Sequence, residues 1–177
     1  NSEENKKYHL FEGVKNQQGI SYEFLFEDRL KETTKLDIDE PYLQSEQQLT
    51  NFKEFLLFYK NMIPKNEIAT INLTTLETSE KSEINIQCEH LKNLKTFVKN
   101  ERMPIKLDIE IKHRSTQMHG RKIEADNGWI FTCDRGLDIF QTWEFDNERG
   151  YKKKDQKERS CRPIIFTAIH KFYRQNI

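Results

Sequence analysis

Residues 105–112 read Ile-Lys-Leu-Asp-Ile-Glu-Ile-Lys, apolar and charged in strict alternation. Only an extended strand sorts such a run onto two opposite faces, so this chain must build a sheet whose strand here is half buried. Upstream the apolar period lengthens. Leu49, Phe52, Leu56 and Tyr59 recur at helical spacing, with Phe55 and Met62 widening the stripe and Pro64 beyond its end. Ile84, Cys88, Leu91, Leu94 and Val98 form a second helical face, and Ser21 stands where it can cap a helix carrying Tyr22, Leu25, Phe26 and Leu30. Strands are expected at His9–Phe11, around Leu36 and Ile38, over Glu67–Leu73, and again at Ile164–Phe166. Asp126-Asn127-Gly128 joins the apolar runs 118–125 and 129–133 and predicts a hairpin. The order β-α-β-α-β-α-β-hairpin-β predicts an α/β fold: a mixed, mostly parallel sheet flanked by helices on both faces.

Composition narrows the class. A chain of 177 residues suits one domain, with residues 1–19 expected as a polar lead-in and 20–177 as the folded unit. Charged residues make up 33% and mean hydropathy is −0.90, yet 12 Phe, 6 Tyr and 2 Trp supply a core. Six Gly and four Pro exclude collagen-like and Pro/Gly-rich disordered chains. No run of apolar residues is long enough to span a bilayer as a helix, and no signal-peptide pattern opens the chain. Cys88, Cys133 and Cys161 share no metal-ligand spacing and are odd in number, which points to a reducing, intracellular and cytoplasmic setting. No phosphate-binding glycine loop and no His/Cys/Asp/Glu ligand set occurs, so no cofactor or metal is expected. Residues 1–90 carry 10 basic and 17 acidic side chains, while 91–177 carry 19 and 12. Either one face favours anions or the charges intermix on folding.

The chemistry-bearing stretch is His119-Gly120-Arg121-Lys122-Ile123-Glu124-Ala125-Asp126. If the strand reaches back to His119, that imidazole and the Arg121 guanidinium share a face, a combination suited to phosphate. Asp126, at the strand's end, is placed to orient an imidazole, or simply to begin the turn. The pattern H-x-R-x4-D matches the spacing of the phospholipase D signature H-x-K-x4-D, with Arg for Lys. The residues around it narrow the resemblance. Asn127-Gly128-Trp129-Ile130 and Arg135-Gly136-Leu137-Asp138-Ile139-Phe140, with Ser21-Tyr22-Glu23, Glu40-Pro41-Tyr42, Gln48-Leu49 and Asn51-Phe52, resemble the C-terminal phospholipase D-like domain of the MIT-domain-containing protein family of the ESCRT pathway. Arg159, Cys161 and His170 keep the spacing of that domain's closing segment, and Asp134 stands where the family usually has glycine. The resemblance implies a phospholipase D-like fold, a homodimer, and peripheral binding to acidic, phosphoinositide-containing membranes without recognised catalysis.

A hydrolase of this type needs two histidines, and this chain offers one motif. Activity as a phosphodiesterase on lipid or nucleic acid therefore requires two copies to meet, each contributing catalytic His119, Arg121 and Asp126. The alternatives are a phosphate-binding but inactive site, or a dimerisation scaffold. Expected ligand contacts are His119, Arg121, Arg135, Lys152, Lys153, Lys154, Lys157, Arg159 and Arg162, the last six forming a basic stretch that suits lipid headgroups or a nucleic-acid backbone. Trp143 and Phe145, just upstream, suit a bilayer interface, a base, or the core. Arg135 and Asp138 are expected to pair with each other.

Overall fold

In the computed structural model, residues 7–118, 120–140, 156–159 and 161–174 are described. Among these residues seven strands form one sheet: β1 (Tyr8–Gly13), β2 (Lys35–Asp39), β3 (Ala69–Leu76), β4 (Ile105–Lys112), β5 (Lys122–Ala125), β6 (Trp129–Cys133) and β7 (Ile164–His170). Between them run α1 (Tyr22–Leu30), α2 (Glu46–Tyr59) and α3 (Ile84–Asn100); the single turn α4 (Lys171–Arg174) follows β7. The segment ahead of residue 20 thus supplies β1, an edge strand paired with β7.

The strand order is β1-β7-β6-β5-β2-β3-β4. Only β2-β3 and β3-β4 pair parallel; β1-β7, β7-β6, β6-β5 and β5-β2 are antiparallel. The expectation of a mostly parallel sheet is therefore corrected to a mixed, mostly antiparallel one. The reason lies in the connections. Helices cross over between adjacent strands only in β2-α2-β3-α3-β4. After β4 the chain returns without a helix to lay β5 on the far side of β2, and α1 joins two strands that are not neighbours.

Two successive right-handed crossovers that step in one direction put α2 and α3 on the same face. Helix α1 joins that layer: Phe26 meets Phe55 of α2 and also Phe131 and Phe166 of the sheet, at 5.5, 5.0 and 5.3 Å between ring centroids. The helices α1, α2 and α3 therefore cover one face, not both. The core between layers is largely aromatic, with Tyr22, Tyr59, Phe26, Phe52, Phe55, Phe131, Phe140 and Phe166 fully buried. That is how a chain of low mean hydropathy assembles a core.

The helix starts are encoded locally. Ser21 Oγ accepts from Phe24 N (3.1 Å). Ser45 and Gln48 form a reciprocal capping box, Ser45 Oγ accepting from Gln48 N (3.2 Å) and Gln48 Oε1 from Ser45 N (2.9 Å). The hairpin is present between β5 and β6. Gly128 N donates to Ala125 O (3.0 Å), and Gly128 takes a φ of +95° while Asp126 and Asn127 do not turn positive. This is a type I turn closed by a glycine bulge.

Candidate functional site

The carboxyl ends of β2 and β3 open onto a cleft of about 700 Å³, the end of an α/β sheet where ligands ordinarily sit. Arg114, Thr116, Gln117, Arg121, Thr132, Asp134 and Thr167 contribute polar lining, and Tyr42, Met118 and Ile165 apolar lining. Arg114 is held by a hydrogen bond from Nη1 to Ser79 O (2.6 Å).

Arg121 precedes β5 rather than lying in it. Gly120 takes a φ of +87°, so the extended run expected back to His119 stops at Lys122. The Arg121 guanidinium is already engaged. Its Nε lies 3.0 Å from Glu40 Oε1 in an ion pair without hydrogen-bond alignment, its Nη1 donates to Asp134 O (3.2 Å), and its Cζ sits 5.0 Å over the Tyr42 ring. Both partners are largely sealed, with 15% and 7% of their side chains exposed. Burial pushes the Glu40 carboxyl up to about 7, against the pull of Arg121 and of a hydrogen bond from Leu137 N.

This pair explains the glycine in Arg135-Gly136-Leu137-Asp138. Gly136 has a φ of +58°, and a Cβ there would lie 1.8 Å from Glu40 Oε2 and 2.9 Å from Arg121 Cδ. The block is a seat for the ion pair. The side chains of Arg135 and Asp138 do not pair, contrary to expectation; only Asp138 N donates to Arg135 O (3.1 Å). Arg135 Nε donates to Pro163 O (3.2 Å), and Asp138 Oδ1 accepts from Asn51 Nδ2 (2.9 Å), because the turn points the two side chains at different neighbours. Tyr22, fully buried, donates its hydroxyl to Leu137 O (2.8 Å) from α1.

Asp126 closes β5 at the end opposite to Arg121. Its carboxylate accepts from Thr34 N (3.1 Å) and Thr34 Oγ1 (2.8 Å), fastening the hairpin to the start of β2. A strand's length, on the order of 16 Å, separates it from Arg121. Arg159 turns inward: it pairs with Glu54 of α2, which also accepts from Gln156 Nε2 (2.8 Å), and stacks over Phe140 at 5.0 Å. Arg162 is half-buried and Lys157 exposed. His119, Lys152, Lys153, Lys154, Trp143 and Phe145 lie outside the described residues, although His119's sequence neighbours Met118 and Gly120 both line the cleft. Among the described residues no His/Cys/Asp/Glu group could hold a metal, and no helix is long and apolar enough to cross a membrane.

Residues 19–170 match the model of the phospholipase D-like domain at the C-terminus of MIT. The chain belongs to this family. It is also similar to MIT domain-containing protein 1 of Mus musculus, 30% identical over 176 residues. That alignment covers 98% of this chain and 65% of the relative's length.

Sequence reasoning missed Glu40, Asn51 and Glu54 as organisers of the site. Asn51 and Glu54 lie on the same helical stripe as Phe55 and Phe58, where a polar residue needs a partner when buried. That misplaced polarity was the available signal.

Proposed function

We propose that this phospholipase D-like domain is a non-hydrolytic module that recognises phosphate-bearing surfaces, and that it docks as a homodimer on acidic, phosphoinositide-containing membranes. The observation that carries the reading is the state of Arg121: it forms part of the cleft wall, yet its Nε is turned onto Glu40 and its Nη1 onto Asp134 O, with its stem seated on Gly136. A hydrolase needs that cation free to hold a transferring phosphoryl group. The hydrolytic alternative is further weakened by Asp126, whose carboxylate is taken up by Thr34.

The polar lining of the cleft suits weak, multivalent recognition: Arg114, the paired Arg121, Gln117 and the hydroxyls of Thr116, Thr132 and Thr167, beside Asp134, whose Oδ1 accepts from Ile165 N (3.1 Å). In this reading His119 adds an imidazole, and Lys152, Lys153, Lys154 and Lys157 add long-range attraction at the periphery of a cytoplasmic membrane. The family membership supports the phospholipase D-like part of the reading.

Co-sedimentation with vesicles tests it. The chain should pellet with phosphatidylserine or phosphatidylinositol-bisphosphate vesicles and not with phosphatidylcholine alone. Binding should fall steeply from about 50 to about 300 mM salt. Lys152→Glu combined with Lys153→Glu and Lys154→Glu should weaken it by about tenfold or more. Equal binding to neutral vesicles, or a preference for DNA or RNA over vesicles, would overturn the membrane assignment. Hydrolysis of phosphatidylcholine, DNA or RNA that His119→Ala abolishes would overturn the non-hydrolytic one.

A further inference from the structure

At the opposite edge of the sheet from β1, strand β4 has, among the described residues, a neighbour on one side only. Two hydrogen bonds show which of its backbone groups are used. Ala69 N donates to Pro104 O (2.9 Å) and Glu77 N to Lys112 O (2.9 Å), with Ala69 in register with Ile105. In a parallel ladder successive residues turn their N–H and C=O groups to alternate sides. The even-numbered residues from 104 to 112 therefore face β3. The N–H and C=O groups of Ile105, Leu107, Ile109 and Ile111 face outward, and no described residue pairs with them.

Beside that free edge, α3 and the turn after it leave a groove of about 410 Å³. Val98, Met103, Ile105 and Leu107 form its apolar floor, and Lys95, Lys99 and Arg102 its rim. No carboxylate lines it, and among the described residues the three cations make no ion pair. The surface thus offers an unpaired strand edge, an apolar trough and three unmatched positive charges in one place.

We propose that this groove docks an extended acidic peptide of another protein, which adds to β4 as a further strand. Its backbone bonds Ile105 to Ile111, its apolar side chains lie over Ile105 and Leu107, and its carboxylates meet Lys95, Lys99 and Arg102. The charges select this occupant over a second copy of the chain. Full-length antiparallel self-pairing, with Ile105 opposite Ile111, sets Asp108 against Asp108 and Lys106 against Glu110, and lays only Ile109 and Ile111 over this groove, which leaves Lys95, Lys99 and Arg102 without carboxylates. The proposal is independent of the cleft at the other end of the strands.

Fluorescence anisotropy on the intact chain tests it with an end-blocked, fluorescein-labelled octapeptide repeating Val-Val-Glu-Glu, which puts both residue types on each face of a strand. The same peptide with lysine for glutamate is the control. The acidic peptide should bind and the basic one should not. Lys95→Glu with Lys99→Glu, both exposed, should weaken binding by about tenfold or more. Ile109→Pro removes an N–H that faces the incoming strand and not β3, so it should cause a similar loss while leaving the melting transition in place. No binding of the acidic peptide up to about 1 mM overturns the proposal. So does binding indifferent to Ile109→Pro in a folded variant. A dimer that Ile109→Pro converts to monomer would hand the edge to a second copy, and vesicle binding lost with Lys95→Glu and Lys99→Glu but kept with Ile109→Pro would make the rim a headgroup site; either result also overturns it.

Discussion

The Glu40–Arg121 pair decides what the motif's second position can do, and two substitutions probe it. In Gly136→Ala the new Cβ collides with Glu40 Oε2 at 1.8 Å, in a backbone conformation that L residues rarely adopt. Strain and a displaced ion pair together should cost about 2–4 kcal/mol, read as a lower urea midpoint at unchanged slope. Glu40 itself links stability to pH. Its carboxyl titrates about 7 when folded against an ordinary 4.5, so the folded chain holds this proton more tightly than the unfolded one. Stability is then favoured below 4.5 and declines as pH rises toward 7. The loss is about 3 kcal/mol over that window, the folded value of about 7 already including the pull of Arg121 and of the Leu137 N–H. Glu40→Gln mimics the protonated carboxyl, so it should match the wild type near pH 5, exceed it at pH 7.5, and lack this decline. Urea unfolding at pH 5 and 7.5 compares the two chains. Parallel pH profiles would show that Glu40 does not titrate in this range.

At the scale of elements, the hairpin separates structural from chemical roles. Asp126 bonds Thr34, and Asn127 Nδ2 donates to Arg29 O (2.7 Å), so the turn is sewn to β2 and to the end of α1. Asp126→Ala should destabilise by about 1–2 kcal/mol and leave vesicle binding of the folded chain unchanged. A loss of binding with no loss of stability would return Asp126 to the ligand site. The hairpin also shows what the sequence could and could not disclose. Apolar periodicity placed the three long helices and the strands, and Ser21 marked a helix start, because these signals act within one element. Beyond that hairpin, strand partners were not readable. Which side of β2 receives β5 depends on how the helix-free return from β4 packs, and nothing in residues 113–121 states it. The site was partly readable for the same reason: the spacing from Arg121 to Asp126 is local, but Glu40 and Gly136 reach Arg121 only through the fold.

For the whole molecule, the decisive fact is a sheet with its long helices on one face. The register aligns Leu10 with Thr167 and Thr132, Tyr8 with Ile169 and Ile130, and Glu12 with Ile165, all on the side away from the helices. Tyr8, Leu10 and Ile165 are 41%, 48% and 54% exposed, and Ile130 and Ile169 half-buried, so an apolar strip crosses β1, β7 and β6. Contiguous apolar surface of this kind marks an interface. Its neighbours Lys122 and Glu124 cancel each other in an ion pair at 3.0 Å, so the charge beside Ile130 and Thr132 is balanced where two copies would meet. Ile165 and Thr167 also line the cleft, which would place the phosphate site at the seam of the proposed homodimer. Sedimentation should give the wild type twice the 21.3 kDa of one chain, and Ile165→Asp the mass of one chain. Because Ile165 is exposed, its folding stability should move by no more than about 0.5 kcal/mol. Ile86→Asp, at an equally exposed position on α3, should leave the dimer intact. Vesicle binding should fall with Ile165→Asp and not with Ile86→Asp, since a dimer engages the surface through two sites at once. A dimer that survives Ile165→Asp would place the second copy elsewhere and leave the cleft complete within one chain.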